Sequence, residues 1–370
     1  MRFLYVSRQF NRSGYHILEH LLDDGMHIPA AVLLPSPSAP QPLDDPARAE
    51  EERRRYVEEV ARYGGRPLRF LGSIRRLAED RGIPVFERRG IKSDEAYRWL
   101  ASLDLDLIAV GGGWHQLFPP RVIDLPRLGV INTHPSLLPE FRGTDIHRWQ
   151  VLHGVDRSGA TIHYVDEGCD TGEILGQVAV PITPNDTPQD LADKAGRAAG
   201  PLMKRVLDRI ASAIPGRARG AAQAARDDAS RYFSRWRWED REFLRLDWNR
   251  PAEDLRRFVL ACAQESYRYN GPFFEARGAE YIVRGASTSP IDAPPGRPGD
   301  VARIDAEGVT VRCGDDRLGL RLTRVQPASL EGFRDHFHPE PSFPAAQLAP
   351  RAGLVPGDSV AATPEQNTLR

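Results

Sequence analysis

A chain of 370 residues, 41% hydrophobic and 27% charged, is long enough for two domains and a sizeable core. Its formal net charge of −1 excludes an overall electrostatic pull toward nucleic acid or an anionic membrane. Cys169, Cys262 and Cys313 are too scattered for a disulfide framework or a thiolate zinc site. No stretch approaches the roughly 18 apolar residues of a membrane span, and the first apolar stretch, residues 3–6, is too short for a secretory signal. A cytoplasmic protein is expected.

Residues 2–7 read as a buried strand, followed by a helix over 14–24. Ile17, Leu18, Leu21 and Leu22 fall on one face of that helix, and Gly25 stands where its C-terminus would want a glycine. Residues 28–34 give a second strand. A Pro-rich loop then leads to an exposed helix near 50–55. Further strands are expected at 82–86, at 105–110 (ending in Gly111-Gly112-Gly113) and at 130–132. Short apolar strands alternating with helices predict an α/β fold with a Rossmann-like, mostly parallel sheet. Ligands of such sheets bind beyond the carboxyl ends of the strands. Two more strands, 160–166 and 174–180, flank a loop carrying Asp170. Thr187-Pro188-Gln189-Asp190 has the form of a helix start, and that helix should run to about 213.

Composition then shifts. Residues 215–230 are rich in Ala, Arg and Gly, as a linker is. The stretch 232–248 is dense in aromatics, with Trp236, Trp238 and Trp248 expected in a core. A helix near 251–264 and strands near 281–286, 308–313 and 317–325 suggest a smaller, mainly β domain. The expected division is 1–213, a linker over 214–231, a second domain over 232–335, and a Pro/Ala-rich tail over 336–370 without its own core.

Asn132, His134 and Asp170 are the candidate catalytic residues. An amide and an imidazole aimed at one point can stabilise an oxyanion. Asp170 is read either as a general base or as the partner that orients His134. Gly168 and Gly172 would let backbone approach a ligand closely. The triple glycine is either a plain turn or a loop lining a planar ligand. It is not GxGxxG, and no phosphate-binding P-loop is present. Cys169 reads as a small packing residue, and His147, His153 and His163 as structural. His336 and His338 lack partners at metal spacing, so no metal is expected.

Asn132-Thr133-His134, Ser136-Leu137-Leu138-Pro139, Arg142-Gly143 and Asp170-Thr171-Gly172 together resemble the signature of the folate-dependent formyltransferase family. The likeness covers residues 80–212 well and the first 35 loosely. Leu246-Asp247-Trp248, Pro251-Ala252-Glu253-Asp254 and residues 269–274 extend it to the small C-terminal domain of the methionyl-tRNA and sugar N-formyltransferase branch, which implies an OB-like second domain. The resemblance implies N10-formyltetrahydrofolate as co-substrate, an acceptor amine attacking the formyl carbon, and Asn132, His134 and Asp170 as catalysts. It further implies a pterin site along Gly112, Gly113, Trp114, Asp166, Gly168 and Cys169. Acceptor contacts fall to Arg8, Gln9, Trp114 and Arg142.

Residues 35–47 contain no Lys or Arg, whereas a tRNA acceptor demands positive charge. A small amine is therefore preferred, with a nucleotide-linked amino sugar first and a secondary-metabolite amine next. Methionyl-tRNA stays open as an acceptor, as does water, which would make the enzyme a formyltetrahydrofolate hydrolase. Acceptor binding, a homodimer interface and simple stabilisation are all open roles for the second domain.

Overall fold

Phe3–Ser7 (β1) is buried along its whole length, which places it in the middle of a sheet covered on both faces. The computed structural model describes residues 1–9, 11–25, 31–35, 72–88, 90–114, 116–223, 232–238, 240–263, 271–315, 317–328 and 343–360. Residues 28–30 of the expected second strand, the Pro-rich loop over 36–47, the helix near 50–55, residues 224–231 of the linker, and His336 and His338 lie outside these.

The first unit continues through Ala31–Pro35 (β2), Val85–Arg88 (β3), Leu107–Gly112 (β4), Val130–His134 (β5), Arg142–Gly143 (β6), Arg157–Tyr164 (β7), Ile174–Pro181 (β8) and Tyr232–Phe233 (β9). Seven of these strands form one sheet in the order β3-β2-β1-β4-β5-β7-β8. Pairing is parallel from β3 to β5 and antiparallel from β5 through β7 to β8. The sheet is thus mostly parallel, as the alternating pattern predicts, with an antiparallel flank.

Side-chain alternation divides the core. Phe3, Tyr5, Leu107, Ala109 and Ile131 face one layer, packed with Ile17, Leu18 and Leu21 of the helix Arg12–Asp23 and with Leu202 and Met203 of the helix Pro188–Ser212. Leu4, Val6, Ile108, Val110 and Val130 face the other, with Leu100 and Val122. The long helix begins as its sequence predicts. Thr187 and Asp190 cap each other, the Asp190 backbone N–H donating to Thr187 Oγ1 at 3.2 Å and the Thr187 N–H to Asp190 Oδ2 at 2.9 Å. Such a cap contributes about 1 kcal/mol.

From β1 the chain runs outward through β2 and β3, then returns to the opposite side of β1 with β4. The strand order therefore switches between β1 and β4, where open α/β sheets form their ligand crevice. Arg8, Gly112, Gly113 and Trp114 all follow these two strand ends.

The second unit is mainly β. Phe273–Ala276 (β10), Ala279–Pro290 (β11), Val301–Asp305 (β12), Gly308–Arg312 (β13), Leu318–Pro327 (β14) and Phe343–Pro344 (β15) form an antiparallel sheet in the order β10-β11-β14-β13-β12, with β15 beside β14. The helix Ala252–Ala261 packs on β11 and β14. Trp236 and Trp248 are buried, and the Trp248 indole donates to the Val360 carbonyl at 3.2 Å. The described part of the tail, 343–360, adds Phe343, Leu348 and Val360 to this core. Its few apolar residues bury themselves against an existing sheet rather than forming a core of their own. Among the described residues, no helix is long and apolar enough to cross a membrane.

Candidate functional site

Asn132 and His134 leave β5 two residues apart, so their side chains share one face of the strand. Directly across the β5–β7 pairing, His163 stands opposite Asn132. Asp170 reaches the same point from the loop between β7 and β8. The Asp170 carboxylate lies 3.4 Å from His134 Nδ1 and 3.6 Å from His163 Nε2. Asn132 Nδ2 faces His163 Nε2 at 3.2 Å and Asp170 Oδ1 at 3.5 Å. The three predicted side chains therefore converge, with His163 as a fourth member. The contacts to Asp170 are longer than well-formed hydrogen bonds, as is common before substrates close a site.

Backbone groups fix which ring nitrogens face the cluster. His134 Nε2 donates to the Phe141 carbonyl at 2.7 Å, which leaves its Nδ1 facing Asp170. His163 Nδ1 donates to the Tyr164 carbonyl at 2.7 Å, which leaves Nε2 facing the same group. Both imidazoles thus turn their second nitrogen to one carboxylate. The Gly143 N–H donates to Asp170 Oδ2 at 3.1 Å. Burial pulls the Asp170 pKa upward, but the His134 and then the His163 imidazole outweigh it and hold the carboxyl well below the usual carboxylate range. Phe141 and Asp170 both adopt left-handed backbone, each at φ +54°. For non-glycine residues that costs on the order of 1 kcal/mol apiece, tolerated where the surroundings over-determine the geometry.

The neighbouring loop residues are braced. Asp166 Oδ1 accepts from the Gly168 N–H at 3.1 Å and from Thr171 Oγ1 at 2.6 Å. A Cβ on Gly172 would run into the Tyr164 carbonyl oxygen. Gly172→Ala should therefore destabilise the protein by about 1–3 kcal/mol, read as a fall in thermal midpoint; an unchanged midpoint would show that the loop has room. The Cys169 thiol lies 3.5 Å from Asp170 Oδ2. Burial first, then the Asp170 charge, push it up to about 12, which makes it a poor nucleophile. His147 is half-buried, and desolvation is the chief cause that brings it down to about 4, so it is neutral at physiological pH.

The remaining candidates scatter. Gly112 and Gly113 have φ of +132° and +73°, and a Cβ on Gly113 would press on Arg8 and Asn11. Trp114 follows, its ring 5.5 Å from that of Phe118 and its indole nitrogen buried with no hydrogen-bond partner among the described residues. Gln9 instead binds the first turn of the helix Ile74–Glu79: it accepts from the Arg75 N–H at 3.2 Å and donates to Ser73 Oγ at 3.0 Å. Arg142 donates to Gln223 Oε1 at 2.9 Å. His163 and Gln223 are the site neighbours that sequence reasoning passed over. His163 is recognisable only from the antiparallel register of β5 and β7. Gln223 sits in a stretch whose composition reads as linker.

The family model described as formyl transferase matches residues 42–207, and that described as formyl transferase, C-terminal domain, matches 240–331. The methionyl-tRNA formyltransferase of Pseudomonas paraeruginosa is 36% identical over 266 residues, covering 72% of this chain and 80% of that protein. Among solved structures, WlaRD, a sugar 3N-formyl transferase crystallised with dTDP and 5-N-formyl-THF, superimposes with a TM-score of 0.59 at 15% identity, covering 87% of this chain and 97% of that one. An N-formyltransferase from Helicobacter canadensis, in complex with folinic acid and dTDP-3-aminofucose, gives 0.58 at 16%, covering 87% and 99%. At those identities the likeness is one of fold.

Proposed function

Since this chain belongs to the folate-dependent formyltransferase family and moves a formyl group from N10-formyltetrahydrofolate, we propose that Asn132, His134 and Asp170 catalyse transfer to the primary amine of a small acceptor. The observation that carries this reading is the convergence of Asn132, His134 and His163 on the Asp170 carboxylate.

The donor supplies an activated one-carbon acyl group. Gly112 and Gly113 fit it, because a side chain at Gly113 would fill the space against Arg8 and Asn11. Gly112, Gly113, Trp114, Asp166, Gly168 and Cys169 are the residues proposed to hold its ring system. Asn132 Nδ2 and the protonated face of His134 stabilise the negative oxygen that develops as the amine adds. A carboxylate held as low as that of Asp170 is a poor final resting place for a proton. That supports the orienting role for Asp170, with the carboxylate only a way station: the proton lost by the amine, directly or through water, passes on to N10 of tetrahydrofolate as the bond between that nitrogen and the formyl carbon breaks. Arg8, Trp114 and Arg142 remain proposed acceptor contacts; Gln9, engaged with Ser73 and Arg75, is the weakest of the set.

For the acceptor, the Lys- and Arg-free stretch 35–47 and the net charge of −1 favour a small amine, a nucleotide-linked amino sugar first and a secondary-metabolite amine next. Methionyl-tRNA is the second reading, favoured by a relative at 36% identity that carries that name. Incubation with N10-formyltetrahydrofolate and a panel of amino sugar nucleotides, free amines and methionyl-tRNA separates the readings. A mass gain of one formyl group on a small amine is expected. Formylation of methionyl-tRNA alone would overturn the preferred acceptor, and formate release without any amine would make the enzyme a hydrolase.

A further inference from the structure

We infer that Gln223 is a positioning residue for Asp170, fastening together the two loops on which the proposed catalytic geometry depends. Residues 217–223 run back along the segment that follows Asp170. Ala221 and Ile174 exchange both backbone hydrogen bonds at 2.8 Å, and the Gly220 N–H donates to Glu173 Oε2 at 3.1 Å. Arg217 lies over the Tyr164 ring, 3.6 Å from its centroid, while the Tyr164 hydroxyl donates to the Ala218 carbonyl at 3.0 Å.

At the end of this strap both ends of the Gln223 amide are hydrogen-bonded. Its Nε2 donates to the Asp170 carbonyl at 2.9 Å and to the Gly172 carbonyl at 2.8 Å. Its Oε1 accepts from Arg142 at 2.9 Å. Two carbonyls on one side and a guanidinium on the other allow a single amide orientation. Arg142 belongs to the other loop. That loop supplies the Phe141 carbonyl that pins His134 and the Gly143 N–H that binds Asp170. Both loops hold non-glycine residues in left-handed backbone, Phe141 and Asp145 in one and Asp170 in the other, so each needs outside support to keep its shape. Further on, β9 pairs with β6, Phe233 stacks on Phe141 at 4.9 Å, and the Trp149 indole donates to the Ser234 carbonyl at 2.9 Å. The strap lies outside both matched regions, 42–207 and 240–331. It nevertheless touches both sides of the site.

The role assigned to Gln223 rests on the catalytic reading above, and its test is built to fail separately. Gln223→Met keeps length and bulk while removing all three hydrogen bonds. Gln223→Glu keeps the acceptor for Arg142 but turns an oxygen toward two carbonyls. Both should lower kcat for formyl transfer about tenfold to a hundredfold, as a displacement of order 1 Å does. KM for the folate donor should stay within about threefold and the thermal midpoint should hold. Independently of turnover, the Gly143 amide, which reports the position of Asp170, should exchange its hydrogen at least about tenfold faster in Gln223→Met, as expected when its acceptor is no longer held. If wild type transfers no formyl group, the catalytic reading falls and the exchange experiment alone decides the role of Gln223. Unchanged exchange at Gly143, or a kcat within twofold of wild type in both variants, would overturn the inference.

Discussion

His134→Ala is expected to lower kcat for formyl transfer about a hundredfold to a thousandfold, the usual consequence of deleting one donor to a developing oxyanion. Binding of the folate donor, followed by calorimetry or fluorescence, should stay within a few-fold of wild type. The expectation follows from where the ring sits. Its Nε2 is committed to the Phe141 carbonyl and its Nδ1 faces Asp170. The ring is nearly enclosed, at 3% exposure, and truncation also removes its hydrogen bond to the partly buried Phe141 carbonyl. Thermal unfolding must therefore accompany the kinetics, to show that the loss belongs to a folded enzyme. Full turnover in a folded His134→Ala protein would sink the mechanism.

Asp170→Asn should lower kcat by about a hundredfold to ten-thousandfold, the range for losing a positioned acid–base group. The substitution keeps the shape and removes the charge between two imidazoles. It also weakens the acceptor for the Gly143 N–H, and hydrogen bonds to charged groups contribute about 1.5–3 kcal/mol. The pH dependence has a definite sign. Asp170 in the folded protein titrates below its unfolded value of about 3.9. Its contribution is present above that unfolded value and is lost as pH falls through the folded one. The stability gap between wild type and Asp170→Asn should therefore be full at neutral pH and narrow below about pH 4. Denaturant midpoints measured across that range check it. A gap that widens on acidification would mean the carboxyl is not held low by the imidazoles.

Several features were readable from the chain because they are local. The helix Pro188–Ser212 announces its start through Thr187, Pro188 and Asp190, all within four residues. Strand β1 reads as buried because its apolar run is uninterrupted. Asn132 and His134 were legible as a pair because they stand two residues apart at the end of an expected strand, within one short motif; that the strand runs on to His134 and sets both on one face came from the structure. Other features depend on pairings that no local pattern encodes. His163 joins the site only because β7 runs antiparallel to β5 in the register that sets it opposite Asn132. Parallel continuation of the sheet would have placed a different residue there. Gln223 follows an Ala- and Gly-rich stretch that carries no periodic signal, and its hydrogen bonds span 51 to 81 positions of sequence. Gln9 looked available because it follows β1, yet its amide closes on Ser73 and Arg75, more than sixty positions away. Side chains that serve a distant backbone are hidden from any reading that moves along the chain.

The pinning of each imidazole by a main-chain carbonyl bears on how the cluster handles traffic in hydrogen ions. With Phe141 and Tyr164 fixing the outer nitrogens, both rings are held in one orientation. In the proposed mechanism a hydrogen ion crossing the Asp170 centre would then require no ring flip and little movement of heavy atoms. Little reorganisation energy is then demanded of the surrounding sheet when a hydrogen ion arrives with one reactant and departs with another.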